Sequence, residues 1–227
     1  MLKTNSLKQS PILGWGKAMD FSISPELAHV ERKIREFVRD ELLPLEADPK
    51  NYDDHGNINH QQLKLMRQKV KDAGLWAPQI PIEQGGLGFG PVGMSVLYEA
   101  MNYSIFGPVC FNCAAPDDGN MYVLNKTATP DQKSRWLQPI INGDVRSSFA
   151  MTEPAPGGGS DPSMIKTTAT KHGDKWVVNG RKWYITGAEE AAHFIVMAKT
   201  SDDQRSGLTA FLYHRDEPGW TIEDRKS

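Results

Sequence analysis

The residues best suited to chemistry cluster in two short stretches. The first is FAMTEPAPGGGSDP, residues 149–162, in which three successive glycines follow two prolines and precede a Ser-Asp pair. Each glycine costs roughly 0.5–1 kcal/mol relative to alanine in regular structure, so three in a row imply a need for bare backbone. A glycine-rich turn can line up N–H groups into a concavity for an anion such as a phosphate, and Ser160 can add a hydroxyl. The same composition also suits a flexible loop joining two domains. The second stretch is VVNGRKWYITGA, residues 177–188, which reads as a β-hairpin turned at Asn179-Gly180. On such a strand Lys182, Tyr184 and Thr186 share one face, while Trp183 and Ile185 share the other. A ring and a hydroxyl two residues apart suit a flat, polar-edged heterocycle, and they equally suit an ordinary aromatic cross-strand pair.

Other motifs carry less. Gly88-Phe89-Gly90-Pro91-Val92-Gly93 matches the dinucleotide fingerprint, but the preceding WAPQIPIEQGG holds two prolines rather than a buried strand, and no βαβ pattern follows. Cys110-Phe111-Asn112-Cys113 is a C-x-x-C without the further ligands that zinc needs and outside a thioredoxin-like unit, so buried thiols are expected and no metal site. Asp117-Asp118 and Glu189-Glu190 read as caps or solvated surface. No nucleophile elbow, Walker lysine or H-E-x-x-H occurs.

These stretches sit in a chain of 227 residues with a formal charge of -2, which argues against an electrostatic nucleic-acid footprint. No apolar run is long enough to span a bilayer. Two cysteines do not make a disulfide framework and fit a reducing compartment. A cytoplasmic location is expected; mitochondrial and peroxisomal placement stay open.

The elements that must position the two stretches follow from periodicity. Residues 1–23 read as a leader and residues 24–145 as an all-helical domain. Ser24-Pro25-Glu26 starts a first helix with Leu27, Val30, Ile34, Phe37, Val38 and Leu42 along one stripe. A second helix fits 59–73 with Gly74 ending it, and a third lies within 92–103. Thr129-Pro130-Asp131-Gln132 has the form of a capping box before Trp136, Leu137 and Ile140. From residue 146 the period becomes two. Strands are expected over 165–169, 175–186, 193–199 and 208–214, with a turn at His172-Gly173-Asp174. The expected class is therefore α+β: a helical domain followed by an antiparallel β-barrel or sandwich-like domain over 146–227. That second domain looks incomplete, because Trp220 to Glu223 could begin a strand with nothing after it.

Taken together, MTEP with its glycine-rich G-S-D and VVNGRKWYITGA resemble the flavin signature of the acyl-CoA dehydrogenase family, x-T-E-P-x-x-G-S-D and I-N-G-x-K-x-W-I-T-N/G. AGLWAPQIPIEQGGLGFG and TPDQKSRWLQPIINGD resemble further family segments, in consistent order over about residues 24–223. The resemblance implies helical, β and C-terminal helical domains, the last absent here, in homodimers or homotetramers that bind FAD. It places Phe149, Met151 and Thr152 near the flavin ring, Thr152 and Thr186 at its polar edge, and Tyr184 against it. Gly158, Gly159 and Ser160 would meet the pyrophosphate or the substrate's pantetheine.

The implied reaction is α,β-dehydrogenation of an acyl-CoA, a step of fatty acid metabolism, with electrons leaving to an electron-transfer flavoprotein. The family's catalytic base comes from the C-terminal domain, so no residue is assigned to it, and the chain alone is expected to be inactive. Two departures stand out: the loop between Pro154 and Ser160 is two residues longer than usual, and Tyr184 replaces a tryptophan. An alternative is a non-catalytic remnant that binds acyl-CoA or flavin or forms oligomers.

Overall fold

The computed structural model describes residues 22–159, 161–203 and 207–223. The helical half comprises α1 (Pro25–Phe37), α2 (Leu43–Glu46), α3 (His60–Asp72), α4 (Pro91–Met101), α5 (Gly107–Cys110), α6 (Asp117–Thr127), α7 (Pro130–Gln132) and α8 (Gln138–Asn142). Starts follow from side-chain acceptors: Ser24 takes the Leu27 amide at 3.1 Å and Asn59 takes that of Gln62 at 2.9 Å. Thr129 and Gln132 form the reciprocal capping box. Gly74 and Gly143, both at positive φ, follow α3 and α8. Ile34, Leu42, Val70, Leu97, Met101, Met121 and Ile140 form a buried core between these helices. Among the described residues no helix is long and apolar enough to cross a membrane.

The second half is one five-stranded sheet of β1 (Arg146–Ala150), β2 (Thr168–His172), β3 (Lys175–Asn179), β4 (Ala191–Lys199) and β5 (Leu208–His214). It is mixed rather than antiparallel. β1 runs parallel to β4, and β2 joins β4 in parallel through Thr168 and Lys199; the β2–β3 and β4–β5 pairs are antiparallel. The antiparallel expectation failed because residues 151–167 form a long crossover. It leaves the edge of β4 opposite Val196 and returns opposite Lys199. His172-Gly173-Asp174 does turn the β2–β3 hairpin, with Gly173 at φ +60.

Asn179-Gly180 does not turn a hairpin. Neither residue takes the positive φ that such a turn requires. Gly180 is there for another reason: a methyl group on it would lie 2.6 Å from Thr167 Cβ and 2.7 Å from its Cα. The chain passes directly over Thr167, and residues 180–190 continue without strand pairing. Nor do residues 220–223 form a strand. Trp220 folds back so that its ring lies edge-on to Phe194 at 4.4 Å and to Tyr213 at 5.2 Å.

Sheet and helices meet through polar contacts as well as apolar ones. Ile195 joins the helical core, with Phe149 and Leu212 packed against it. Asp117, read from the sequence as cap or surface, is instead buried: its carboxylate pairs with Arg146 and accepts from the Ser147 amide and hydroxyl at 2.6 and 2.7 Å. Asn120 on the same helix donates to Ser147 Oγ at 3.0 Å. Nearby, His193 Nδ1 lies 3.2 Å from the Trp136 carbonyl. Replacing Asp117 with Asn is expected to destabilise the fold by about 2–3 kcal/mol, because it takes the charged partner from a half-buried guanidinium that keeps only the more distant Glu190, at 3.6 Å. Thr129→Ala, which removes only a cap, should cost about 1 kcal/mol. Urea unfolding compares the two, and equal losses would contradict this account of the junction.

Candidate functional site

The two chemical stretches meet at the end of β1. Trp183 N–H donates to the Thr152 carbonyl at 3.0 Å, and Ser148 Oγ donates to the Thr186 carbonyl at 2.8 Å. Residues 148–152 and 183–186 thus lie side by side in opposite directions. Ser147 and Phe149 face the helices, as their contacts with Asp117 and the core show. Ser148, one step out of phase, holds the second stretch on the other face of β1.

Beneath this junction lies a buried carboxylate, with Glu153 only 4% exposed. It accepts from Lys182 Nζ at 2.8 Å, the Lys166 amide at 2.6 Å, the Thr167 amide at 3.0 Å and the Thr167 hydroxyl at 2.5 Å. Burial alone would raise its pKa. The hydrogen bonds from Lys182, Thr167 and the two amides overrule that effect and hold it at about 2. Burial pulls the Lys182 ammonium below the usual lysine range, against the attraction of Glu153. Lys182 Nζ also donates to the Met151 carbonyl at 2.9 Å.

The glycines now have physical explanations. A methyl group on Gly157 would lie 2.5 Å from Glu153 Oε2, and one on Gly158 would strike the Asp161 carbonyl. The Gly158 carbonyl accepts from the Glu153 amide at 2.8 Å. Two glycines of the run therefore make room for the packing around Glu153. Gly159 is exposed, with nothing within 4 Å of an added methyl group.

The other residues singled out from the sequence are placed as follows. Phe149 is half-buried and packs against the helical core; Met151 and Thr152 are half-buried. Tyr184 is 82% exposed and Thr186 is exposed. Tyr184 and Trp183 do not take opposite faces of a strand. Tyr184 adopts φ +53, and its ring lies 4.6 Å from that of Trp183. A tyrosine in the left-handed region costs of order 1–3 kcal/mol, a strain found mostly where function fixes the backbone. Among the described residues, neither the Thr152 amide and hydroxyl nor the Thr186 hydroxyl has a hydrogen-bond partner. Ser160 lies outside the described residues.

Sequence reasoning gave Glu153 no part in the chemistry and Lys182 only a place on the Tyr184 face, although a Glu and a Lys embedded in the two motifs were the available signal for their pairing. The remaining candidates fall away from the site. Gly88 to Gly93 run into α4, with Gly90 at its N-cap and Gly93 inside its first turn, and among the described residues no strand precedes them. Cys110 and Cys113 are buried free thiols, and burial pushes Cys110 up to about 12. Among the described residues no group of three or more His, Cys, Asp or Glu is arranged for a metal.

Both halves match models of known domains. Residues 24–144 match the acyl-CoA dehydrogenase N-terminal domain, and residues 148–227 match the acyl-CoA dehydrogenase middle domain. The chain belongs to the acyl-CoA dehydrogenase family. It is similar to the protein named Probable acyl-CoA dehydrogenase FadE2 from Mycobacterium tuberculosis, at 35% identity over 90% of this chain and 51% of that one. It is also similar to (R)-benzylsuccinyl-CoA dehydrogenase from Thauera aromatica, at 29% identity over 90% of this chain and 52% of that one. A solved Mycobacterium abscessus structure described as an acyl-CoA dehydrogenase superposes with a TM-score of 0.81 at 32% identity, covering 91% of this chain and 54% of that one. The chain spans about half the length of these relatives.

Two outcomes test the site's construction. Because the folded pKa of Glu153 lies below its ordinary value of 4.5, its stabilisation is complete above pH 4.5 and is lost as pH falls toward about 2. That loss should be roughly 3 kcal/mol, and Glu153→Gln should flatten this acid limb in denaturant titrations. Gly157→Ala and Gly180→Ala should each destabilise by about 1–3 kcal/mol through overpacking, while Gly159→Ala stays within about 0.5 kcal/mol. Equal thermal shifts for all three would contradict the packing roles assigned to these glycines.

Proposed function

We propose that this chain supplies the helical and sheet portions of an FAD-dependent acyl-CoA dehydrogenase. The reaction is α,β-dehydrogenation of an acyl-CoA thioester in fatty acid metabolism. Electrons pass to an electron-transfer flavoprotein, and the enzyme works as a cytoplasmic homodimer or homotetramer. The observation that carries this reading is the convergence of two motifs whose threonine hydroxyls have no hydrogen-bond partner among the described residues. Unused donors at an open surface beside an exposed aromatic pair fit a flat ligand with a polar edge.

FAD, when bound, supplies the acceptor for the hydride that leaves Cβ. The chain's own residues bind and orient. Thr152, through amide and hydroxyl, and Thr186 would hydrogen-bond the polar edge of the ring; Met151 and Tyr184 would pack beside it, with Phe149 on the helix-facing side of β1. Gly159 and Ser160 would hold a phosphate through backbone and hydroxyl, with the Gly158 carbonyl already taken by the Glu153 amide. The proton on Cα is removed by a base from the C-terminal helical domain that the family carries, and residues 24–223 are assigned none.

FAD titration followed by its visible absorption band, then bleaching by added acyl-CoA, tests the reading. The 227-residue chain alone is expected to hold flavin weakly and not to bleach. A polypeptide extended to the relatives' length should bind FAD stoichiometrically and bleach. Flavin binding without bleaching in that extended protein would favour a non-catalytic binder; no flavin at all would overturn the proposal. In it, Thr152→Val and Thr186→Val should each weaken FAD binding about tenfold, the effect of one lost hydrogen bond.

A further inference from the structure

We propose that Lys182 is a positioning residue for the cofactor site, acting through the Met151 carbonyl as well as through its ion pair with Glu153. The inference rests on the flavin reading above, but its geometry is independent of it. Lys182 Nζ spans two acceptors on one segment, the Met151 carbonyl at 2.9 Å and Glu153 Oε1 at 2.8 Å. It comes from the other segment, one residue before the Trp183 amide that bonds the Thr152 carbonyl. Amide and ammonium together fasten Met151, Thr152 and Glu153 to the stretch that carries Tyr184 and Thr186.

The contact with Met151 does something that an ion pair alone would not. The Met151 carbonyl and the Thr152 N–H belong to the same peptide unit, so an ammonium on the oxygen polarises that unit and makes the N–H a stronger donor. That N–H has no acceptor among the described residues. A ligand acceptor placed there would receive a hydrogen bond strengthened by a buried charge. The side chain of Lys182 is 11% exposed, so water does little to screen it.

Glu153→Gln, Lys182→Met and the double variant, made in the full-length protein, separate positioning from stability. Each single variant strands a buried partner and should lower stability. The double variant strands no charge and should recover much of the loss. If Lys182 positions the site, FAD affinity should stay about tenfold weaker in the double variant than in Glu153→Gln, as expected for a lost charge-assisted hydrogen bond. Exchange of the Trp183 amide should also be at least about tenfold faster in the double variant, while the Ile195 amide in β4 exchanges as in the parent. If affinity and Trp183 exchange both return with stability, Lys182 serves only as a counter-ion and the proposal is overturned. Unchanged Trp183 exchange overturns it whether or not FAD binds, whereas absent FAD binding in the parent protein overturns the functional reading and leaves the exchange result to decide this one.

Discussion

The second half of this protein is organised around one buried negative charge. A carboxylate withdrawn from water is costly unless its lone pairs are filled, and the chain routes two separate stretches past Glu153 to fill them. Residues 166 and 167 bring two amides and a hydroxyl, residue 182 brings an ammonium, and the Gly158 carbonyl takes the Glu153 amide. Each of these approaches constrains its neighbours. Gly157 is bare because Glu153 lies against it, and Gly180 is bare because the chain crosses Thr167 there. What looks like a flexible loop in composition is a tightly packed knot, and the Thr152 and Thr186 hydroxyls are carried on its rim.

A second buried carboxylate does comparable work at the junction of helices and sheet. Asp117 opens α6, yet it reaches Arg146 and Ser147 at the start of β1 and so fixes where the sheet begins relative to the helical layer. Alternation along β1 then divides labour between its faces. Ser147 and Phe149 engage the helices, while Ser148 anchors the stretch that carries Thr186. Placement of the candidate site is thus traceable from α6 through β1 to the rim, by hydrogen bonds rather than by apolar contact alone.

Much of the fold was legible because it is written locally. Ser24, Asn59 and Thr129 cap helices as their types require, and the strands at 208–214 and around 193–199 follow from alternation. Legibility failed where a local signal served a distant partner. Asn179-Gly180 has the composition of a two-residue turn, but its glycine answers to Thr167, thirteen residues earlier and set opposite it by the β2–β3 hairpin, whose last pair is Thr168 and Asn179. Adjacent aspartates resemble solvated surface until Arg146 is folded onto one of them. The parallel pairings of β4 were equally hidden, since alternation marks a strand without naming its neighbour.

The sequence by itself determined the order of helical and sheet halves, the capped helices, the two motif stretches and, through their resemblance, the family. Those properties depend on residue type and short spacing, which are one-dimensional. Tertiary structure alone decided that the sheet is mixed, that Tyr184 lies in the left-handed region beside Trp183, and that Glu153 and Lys182 tie the two motifs together. The reason is that a buried charge is satisfied by whatever donors the folded chain brings within about 3 Å, and periodicity carries no record of which those will be.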